Sequence, residues 1–154
     1  MTYRFSIENG ADNYDEIEPL YRQHYKEMQE RLAGQGVPIP DFNPRLDVYF
    51  ARWRAGDLVN YIARTEGGEA IGYSNIYVTH DMHNRELIAV EDTIFIRNDH
   101  RNGAGRQLSK FILADLKARG VKRLNVTAMT DLRVAKLWKR MGFRPVADAM
   151  TYIF

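Results

Sequence analysis

The chain has no cysteine among its 154 residues, and this absence excludes several kinds of chemistry. Without a thiol there is no disulfide bond, no cysteine nucleophile and no thiolate-bound metal. Long apolar runs are missing as well, because no stretch approaches the ~20 residues that a membrane-spanning helix needs. Residues 1–5 also lack the apolar core of a signal peptide. We therefore expect a cytoplasmic protein with no membrane partner.

The net charge is small overall but unevenly distributed along the chain. The formal net charge is +2, whereas residues 97–154 hold 13 Lys/Arg and 4 Asp/Glu, a balance of +9 that leaves −7 for residues 1–96. This asymmetry predicts a basic end that faces a polyanion and a more acidic opposite end. A phosphorylated cofactor and a nucleic acid would both suit the basic end, so charge alone does not distinguish them.

The length suits one domain, and we assign residues 1–154 to it because no linker, repeat or low-complexity tract interrupts them. Apolar residues alternate in some segments, which predicts strands, and recur at i, i+3 and i+4 in others, which predicts helices. The predicted strands are 3–7, 58–65, 70–78, 87–96, 124–128, 143–146 and 150–154, and the predicted helices are 13–33, 44–56, 131–141 and one from the loop at 101–106 to 119. The order βααβββαβαββ indicates an α/β (α+β) fold with a single mixed, mostly antiparallel sheet of six to seven strands flanked by about four helices.

The most informative stretch is a buried strand that leads through an Arg/Gly-rich loop into a helix. A helix start presents backbone N–H groups without intrahelical partners, at the positive end of the helix dipole. Gly103 and Gly105 let the backbone approach a ligand closely, and Arg101 and Arg106 add permanent positive charge. The loop therefore predicts a phosphate site, and a pyrophosphate fits it best. A dinucleotide-binding fold is disfavoured, because no third glycine and no repeated βαβ unit follow.

The loop resembles the acetyl-CoA signature of the GNAT superfamily of N-acyltransferases, Arg/Gln-x-x-Gly-x-Gly/Ala, although His100 stands where Arg or Gln is expected. A second block, 131–143, resembles the late helix of that family, Asn-x-x-Ala-x-x-Leu-Tyr-x-x-x-Gly-Phe. Leu137, Gly142 and Phe143 match it, whereas Asp131, Val134 and Trp138 replace Asn, Ala and Tyr. Together the two blocks cover roughly the C-terminal 60 residues. The resemblance implies an acyl-CoA N-acyltransferase fold, acetyl-CoA as the co-substrate and no metal.

The resemblance also implies where the coenzyme lies. Its pyrophosphate would lie in the loop and its arm along the preceding strand, near the late helix. The implied coenzyme-binding residues are Ile94, Phe95, Ile96, Arg101, Asn102, Gly103, Ala104, Gly105, Arg106, Asp131 and Trp138.

Two adjacent carboxylates, Glu91 and Asp92, lie in the strand before the loop and are the candidate general bases. In a regular strand they point to opposite faces, so at most one acts directly. Asp92 stands where many members of the resembling family carry their base, but Glu91 is longer and a bulge would change which residue faces the cleft. The base would accept a proton from a primary ammonium group, whose nitrogen then attacks the thioester directly.

Trp138 is the main departure from the family pattern. Members often have a tyrosine here that protonates the leaving thiolate, and an indole N–H is not a useful acid. We therefore expect Trp138 to line the thioester arm, and the acid, if there is one, to be Tyr152, Tyr73 or Tyr77.

The acceptor is predicted to be a small-molecule or peptide amine. Two regions border the acceptor cleft in the resembling fold, and their candidate residues are His24, Tyr25, Glu27, Tyr73 and His83. His80 and His83 alone do not predict a metal site. A homodimer is possible. Two other functions stay open: an acyl-CoA-binding protein that acts through protein contacts without catalysis, and a nucleic-acid binder, for which no groove-reading motif is evident.

Overall fold

The computed structural model describes residues 1–129 and 132–154. The strands are β1 (Tyr3–Glu8), β2 (Leu58–Thr65), β3 (Ala70–His80), β4 (Leu87–Ile96) and β5 (Arg123–Asn125), and the helices are α1 (Gly10–Gly34), α2 (Leu46–Ala55), α3 (Ala104–Ala118) and α4 (Leu132–Arg140). A short 3₁₀ turn, Asn98–His100, lies between β4 and α3. None of the helices in the described residues is both long enough and apolar enough to cross a bilayer.

The five strands form one mixed sheet in the order β1-β2-β3-β4-β5. The first four pair antiparallel, and β5 pairs parallel to β4 over three residues only, from Ile88↔Arg123 to Val90↔Asn125. A mixed sheet with four flanking helices was predicted, and the structure confirms both features.

Helices cover both faces of the sheet. The apolar residues of α3 recur every four positions, so that Leu108, Ile112 and Leu116 lie on one side of the helix and pack against one face. The opposite face is covered by α1 and α2, whose buried contacts include Ile17 and Trp53. Burial of such a side chain contributes about 1.5–3 kcal/mol. The two helical layers therefore fix which side chains of β3 and β4 face each layer.

The first helix starts three residues earlier than the pattern predicted. Asn9 caps it, with its Oδ1 accepting the N–H of Ala11 at 2.9 Å, and the helix begins at Gly10. A Cβ on Gly10 would lie 2.2 Å from Trp53 Cε2, so only glycine lets α1 approach α2 here. Asn13, where the predicted helix begins, lies inside α1 and donates to Glu8 Oε1 at 3.1 Å.

The prediction of six to seven strands was wrong, because the sheet formed by the described residues has five. Residues 143–154, which alternate as a closing hairpin would, have no regular secondary structure, and Met150, Tyr152 and Phe154 are exposed. Alternation indicates that a segment is able to form a strand but does not supply a pairing edge. Pro145 also lacks the N–H that a ladder needs.

Candidate active site

A β-bulge in β4 determines where the two candidate bases point. Asn75 of β3 pairs with Thr93, but the next residue, Ile76, pairs with Glu91, so Asp92 is the additional residue in β4. Glu91 points to the α3 and α4 side, whereas Asp92 and Thr93 both face the α1 and α2 side. The two carboxylates therefore lie on opposite faces, and the bulge adds Asp92 to the face that Thr93 already occupies.

Beyond Val90, the outer edge of β4 has no strand partner among the described residues. Thr127, just after β5, donates its N–H to Glu91 Oε2 at 3.0 Å, a side-chain contact that replaces backbone pairing. The carbonyl of Ile96 points to this open edge, where it accepts Arg101 Nε at 2.7 Å. Because the direction alternates along a strand, the backbone groups of Ile94 point to the open edge as well. An extended ligand could therefore pair with β4 here.

The loop that follows β4 enters α3 through a left-handed glycine. Gly103 precedes α3 with φ 117°, a left-handed value that only glycine adopts without strain. The N–H groups of Ala104, Gly105 and Arg106 form the first turn, where the helix offers no partner. A Cβ at Gly105 would make only an ordinary contact, 3.7 Å from Ile96 Cγ1, so packing within the chain does not require glycine there.

The two arginines of the loop have different surroundings. Arg101 lies over the ring of Phe95, 5.2 Å from its centroid, and its Nη2 donates to Glu27 Oε2 of α1 at 2.6 Å. Its guanidinium therefore links the loop to α1. Arg106 is exposed, and within the described ranges no carboxylate pairs with it. Of the two, Arg106 is thus the one whose charge is uncompensated at the start of α3.

His100, at the position where the family signature has Arg or Gln, is buried and bonded to protein groups. Its Nδ1 lies 3.1 Å from the Tyr3 hydroxyl, and Arg97 donates to its Nε2 at 3.1 Å. Tyr3 belongs to β1, at the opposite edge of the sheet, so His100 connects the loop to β1. The side chain has a structural role at this position.

A cavity of about 320 Å³ opens between α1, α2 and the face of β3 and β4 that carries Asp92. Its lining is largely aromatic, and Asn75, Asp92 and Thr93 form its floor. The aromatic lining residues are Tyr14, Tyr21, His24, Tyr25, Phe42, Tyr49, Trp53 and Tyr73.

The carboxylate of Asp92 accepts a hydrogen bond from one of these tyrosines. The Tyr49 hydroxyl donates to Asp92 Oδ2 at 2.9 Å. Burial raises the pKa of Asp92, and the hydrogen bond from Tyr49 opposes that shift in part. A carboxylate with a raised pKa is a stronger base, which suits proton abstraction from an acceptor in the cavity.

Glu91 lies in a more enclosed place. Burial raises its pKa to about 7, the negative charge of Asp92 adds to the rise, and the N–H of Thr127 opposes it. Glu91 shares a narrow cleft with Ile94 and Trp138, and the indole N–H of Trp138 donates to the Thr127 carbonyl at 3.3 Å. This cleft lies on the side of the sheet opposite to the aromatic cavity.

His24 and Tyr73 meet at the back of the aromatic cavity, with His24 Nδ1 2.6 Å from the Tyr73 hydroxyl. Burial lowers the pKa of His24 to about 4, so its imidazole is neutral at pH 7. The same burial raises the pKa of Tyr73 well above its usual value, which makes it a poor acid. Tyr25 lines the cavity, but Glu27 instead pairs with Arg101.

The structure does not bring every predicted residue to the cavity. His83 is exposed in the turn between β3 and β4 and is not among the lining residues. Tyr152 lies in the C-terminal segment, 79% exposed, and contacts Phe154. Tyr77 does not line the cavity, although burial and the charge of Asp92 raise its pKa. Asp131 lies outside the described residues. No cluster of three potential metal ligands occurs within 1–129 and 132–154.

Sequence reasoning missed several residues of the site, chief among them Tyr49 and Trp53 of α2. They stand at i and i+4 on one side of the helix, and this spacing favoured a core position. Trp53 is indeed buried, but it also forms part of the cavity wall. Aromatic residues at helical spacing have the same sequence pattern whether they pack in a core or line a cavity, so the pattern contains no signal for the cavity. Asn75 and Thr93 were missed because the face of the sheet on which they lie relative to Asp92 depends on the bulge.

Comparisons with known proteins agree with this architecture. The profile of the acetyltransferase (GNAT) family matches residues 16–143. No match was found among curated proteins. Among solved structures, a GCN5-related N-acetyltransferase from Ralstonia eutropha JMP134 is similar, with a TM-score of 0.76, 17% identity and 99% of each chain covered.

Two further structures show the same likeness. A ribosomal-protein-alanine N-acetyltransferase from Brucella melitensis gives a TM-score of 0.71 at 15% identity, covering 99% of this chain and 98% of that one. An aminoglycoside acetyltransferase from an uncultured soil metagenomic sample gives 0.73 at 12% identity, with 99% and 94% covered. At such low sequence identity, the TM-scores show that these proteins share a fold with this chain, and no more than that.

Proposed function

The chain belongs to the GNAT acetyltransferase family, and on that premise we propose that it transfers an acetyl group from acetyl-CoA directly to a primary amine. The observation that carries the proposal is the bulge in β4, which directs the Asp92 side chain into an aromatic cavity. Beside it, the edge of β4 has no strand partner among the described residues. The three parts that direct transfer needs, a place for the thioester, a place for the amine and a base, would then lie on one segment of β4.

The residues around the open edge suit the coenzyme. The first-turn N–H groups of Ala104, Gly105 and Arg106, together with the uncompensated charge of Arg106, would hold the pyrophosphate. The backbone of Ile94 would bond the arm along β4, and Trp138 would border it from the α4 side. Arg101 would act through its bonds to Ile96 and Glu27, which keep the loop and α1 together.

The amine needs help because an alkyl ammonium has a pKa of ~10.4, so roughly one molecule in a thousand is neutral at pH 7. Asp92 would accept the ammonium proton, directly or through a water molecule. The free nitrogen then attacks the thioester carbonyl, the carbon–sulfur bond breaks, and the amide and CoA are released. The role of base is assigned to Asp92 rather than Glu91, because Glu91 faces the other side of the sheet.

A general acid is the part for which the fewest candidates exist. Burial raises the pKa of Tyr73 well above its usual value, and Tyr152 is exposed in the C-terminal segment. A thiol has a pKa of ~8.5, so a CoA thiolate can leave without a proton donor. This feature also favours the second candidate function, a protein that binds acyl-CoA and acts through protein contacts without catalysis.

One experiment separates the two functions. Acetyl-CoA at saturating concentration is expected to raise the melting temperature under both. Release of free CoA thiol with a panel of primary amines is expected only of the acetyltransferase. Stabilisation without thiol release across the panel would support the non-catalytic function, and no stabilisation by any acyl-CoA would contradict both.

A further inference from the structure

The aromatic cavity offers ring surfaces rather than polar groups to whatever binds there. The Tyr25 hydroxyl donates to the Pro40 carbonyl at 2.6 Å, and the indole N–H of Trp53 donates to Asn75 Oδ1 at 3.0 Å. The hydroxyl of Tyr73 is bonded to His24. These polar atoms are therefore already satisfied within the protein, which leaves mainly apolar surface of the side chains available to a ligand.

The amide of Asn75 is similarly occupied. Its Oδ1 accepts from Asn60 as well as from Trp53, at 2.9 Å and 3.0 Å, and its Nδ2 lies 3.4 Å from Thr93 Oγ1. A polar body bearing several hydroxyl groups would find few free partners on this floor. Burying unpaired polar groups is costly, so the lining disfavours such a ligand.

Charge in the cavity comes from a single group. Asp92 is the one carboxylate among the described residues that line it, and no Lys or Arg lines it. His24 adds no positive charge because it is neutral at pH 7. Aromatic faces attract a cation placed over them. The cavity is therefore complementary to one positive charge, held at Asp92 and surrounded by rings.

The size of the cavity restricts the ligand further. Its volume of about 320 Å³ is at the lower end of the range of ~300–1,000 Å³ that is usual for small-molecule sites. A molecule with one ring and a short arm fits this space. A polycationic amino sugar is larger and carries several ammonium groups, for which one carboxylate is insufficient.

We propose that the acceptor is a small monocationic primary amine with an apolar, ring-sized body, which packs against Tyr49 and Trp53 while its ammonium group lies at Asp92. This rests on the proposed acetyl transfer for its chemistry. In that step the ammonium gives one proton to Asp92, the nitrogen–carbon bond forms, and the carbon–sulfur bond breaks with the sulfur leaving as thiolate. The nitrogen gives its second proton to water as the neutral amide forms. The proton on Asp92 returns to solvent.

The test compares four amines with acetyl-CoA in a thiol-release assay. Phenethylamine and cyclohexylethylamine share the proposed body, ethanolamine is a small polar monocation, and kanamycin is a polycationic amino sugar. We expect kcat/KM for the first two to exceed that for the others by at least ~10-fold, because an apolar pocket discriminates by the surface it buries. Direct binding of each amine is measured by calorimetry in parallel.

Two variants of α2 provide the matched comparison. Tyr49→Leu removes a ring that lines the cavity, and Phe50→Leu removes the neighbouring ring, which contacts Trp53 from outside the lining. Tyr49→Leu is expected to raise KM for phenethylamine about 5-fold or more, and Phe50→Leu to leave it within about twofold. Tyr49→Phe, which keeps the ring but loses the bond to Asp92, is expected to change kcat more than KM.

The outcomes distinguish this inference from the proposed function. Turnover with a preference for ethanolamine or kanamycin would overturn the substrate class and leave acetyl transfer intact. If phenethylamine binds, Tyr49→Leu weakens that binding, and no thiol is released, the result would support recognition of the amine by the cavity. It would contradict acetyl transfer. If the two apolar amines neither bind nor are turned over, the inference is overturned.

Discussion

Glu91 and Asp92 are neighbours in the chain, but their side chains meet different surroundings. Asp92 faces the aromatic cavity and is bonded to Tyr49, whereas Glu91 is enclosed near Trp138 and bonded to the N–H of Thr127. At the scale of the residue, the chemistry of a carboxylate is therefore decided by which face it occupies. Two predictions follow from this difference, one on activity and one on stability.

Asp92→Asn is expected to lower kcat by ~10²–10⁴, the usual contribution of a general base. Affinity for acetyl-CoA is expected to be nearly unchanged, because Asp92 faces the amine side of β4. The measurement is steady-state thiol release together with calorimetric titration of acetyl-CoA. Glu91→Gln is the matched control, and full activity of Asp92→Asn with loss in Glu91→Gln would reverse the assignment.

Glu91→Gln is expected to stabilise the protein at high pH. The folded pKa of Glu91, about 7, lies above its ordinary value of 4.5, so its protonated form favours folding and stability is lost as pH rises through 7. Above pH 8, keeping Glu91 ionised in its buried position lowers the free energy of unfolding by up to about 3 kcal/mol. Urea unfolding from pH 5 to pH 9 should show the variant more stable above pH 7 and similar near pH 5. An equal difference at all pH values would contradict this cause.

Elements of this fold are joined by specific contacts as well as by packing. The loop that begins α3 needs a left-handed residue at Gly103, while Gly105 in the first turn has an ordinary helical environment. At the other end of the sheet, Arg64 of β2 connects β1 and α1 through Glu8 and Glu16. Each contact gives a prediction at the scale of the element.

Gly105→Ala is expected to leave the fold intact or slightly more stable, by about 0.5–1 kcal/mol, because alanine is the better helix former. The same variant is expected to bind acetyl-CoA more weakly, since the added Cβ covers the backbone that a phosphate would approach. Gly103→Ala, with φ 117°, is expected to lose about 1–2 kcal/mol of stability. Thermal unfolding with and without acetyl-CoA measures both effects, and unchanged ligand stabilisation in Gly105→Ala would place the phosphate elsewhere.

Glu8→Gln is expected to destabilise the fold near pH 7 by up to about 2 kcal/mol, after allowance for solvent at this partly buried pair. Arg64 lowers the pKa of Glu8 to about 2, so the contribution is present above the ordinary pKa and is lost as pH falls toward 2. Urea unfolding at pH 7 and pH 3 measures it. Glu18→Gln, which breaks a more exposed pair with Arg22, is the control and is expected to cost much less.

At the scale of the whole molecule, the charge asymmetry gives the protein a basic half and an acidic half. Residues 97–154, which include the loop and α3, carry a balance of +9. Such a field attracts a multiply charged anion and weakens as salt screens it. The aromatic cavity, in contrast, lies against α1 and α2 in the acidic half.

The affinity for acetyl-CoA is accordingly expected to fall as sodium chloride is raised from 0.05 to 0.5 M, while the KM of an apolar amine changes much less. Calorimetry at each ionic strength gives the first quantity and initial rates give the second. Arg106→Ala should reduce the salt dependence of acetyl-CoA affinity. An affinity independent of salt would show that the basic half does not hold the phosphates.

Sequence patterns predicted the helices, four of the five strands nearly to their ends, and the Arg/Gly loop between β4 and α3. These follow from local rules, because apolar periodicity marks the buried face of an element and glycine marks a backbone that other residues avoid. The two GNAT-like blocks also identified the family, which the match over residues 16–143 confirms.

Which residues of those elements come together at the site could be seen only in the folded protein. The bulge that places Asp92 in the cavity depends on how β3 and β4 fit together, the partner of Arg101 is 74 residues away on α1, and residues 143–154 alternate without finding a strand to pair with. Register and long-range pairing arise from contacts between distant segments. A pattern read along one segment contains no information about its partner, so these features are settled only when the chain has folded.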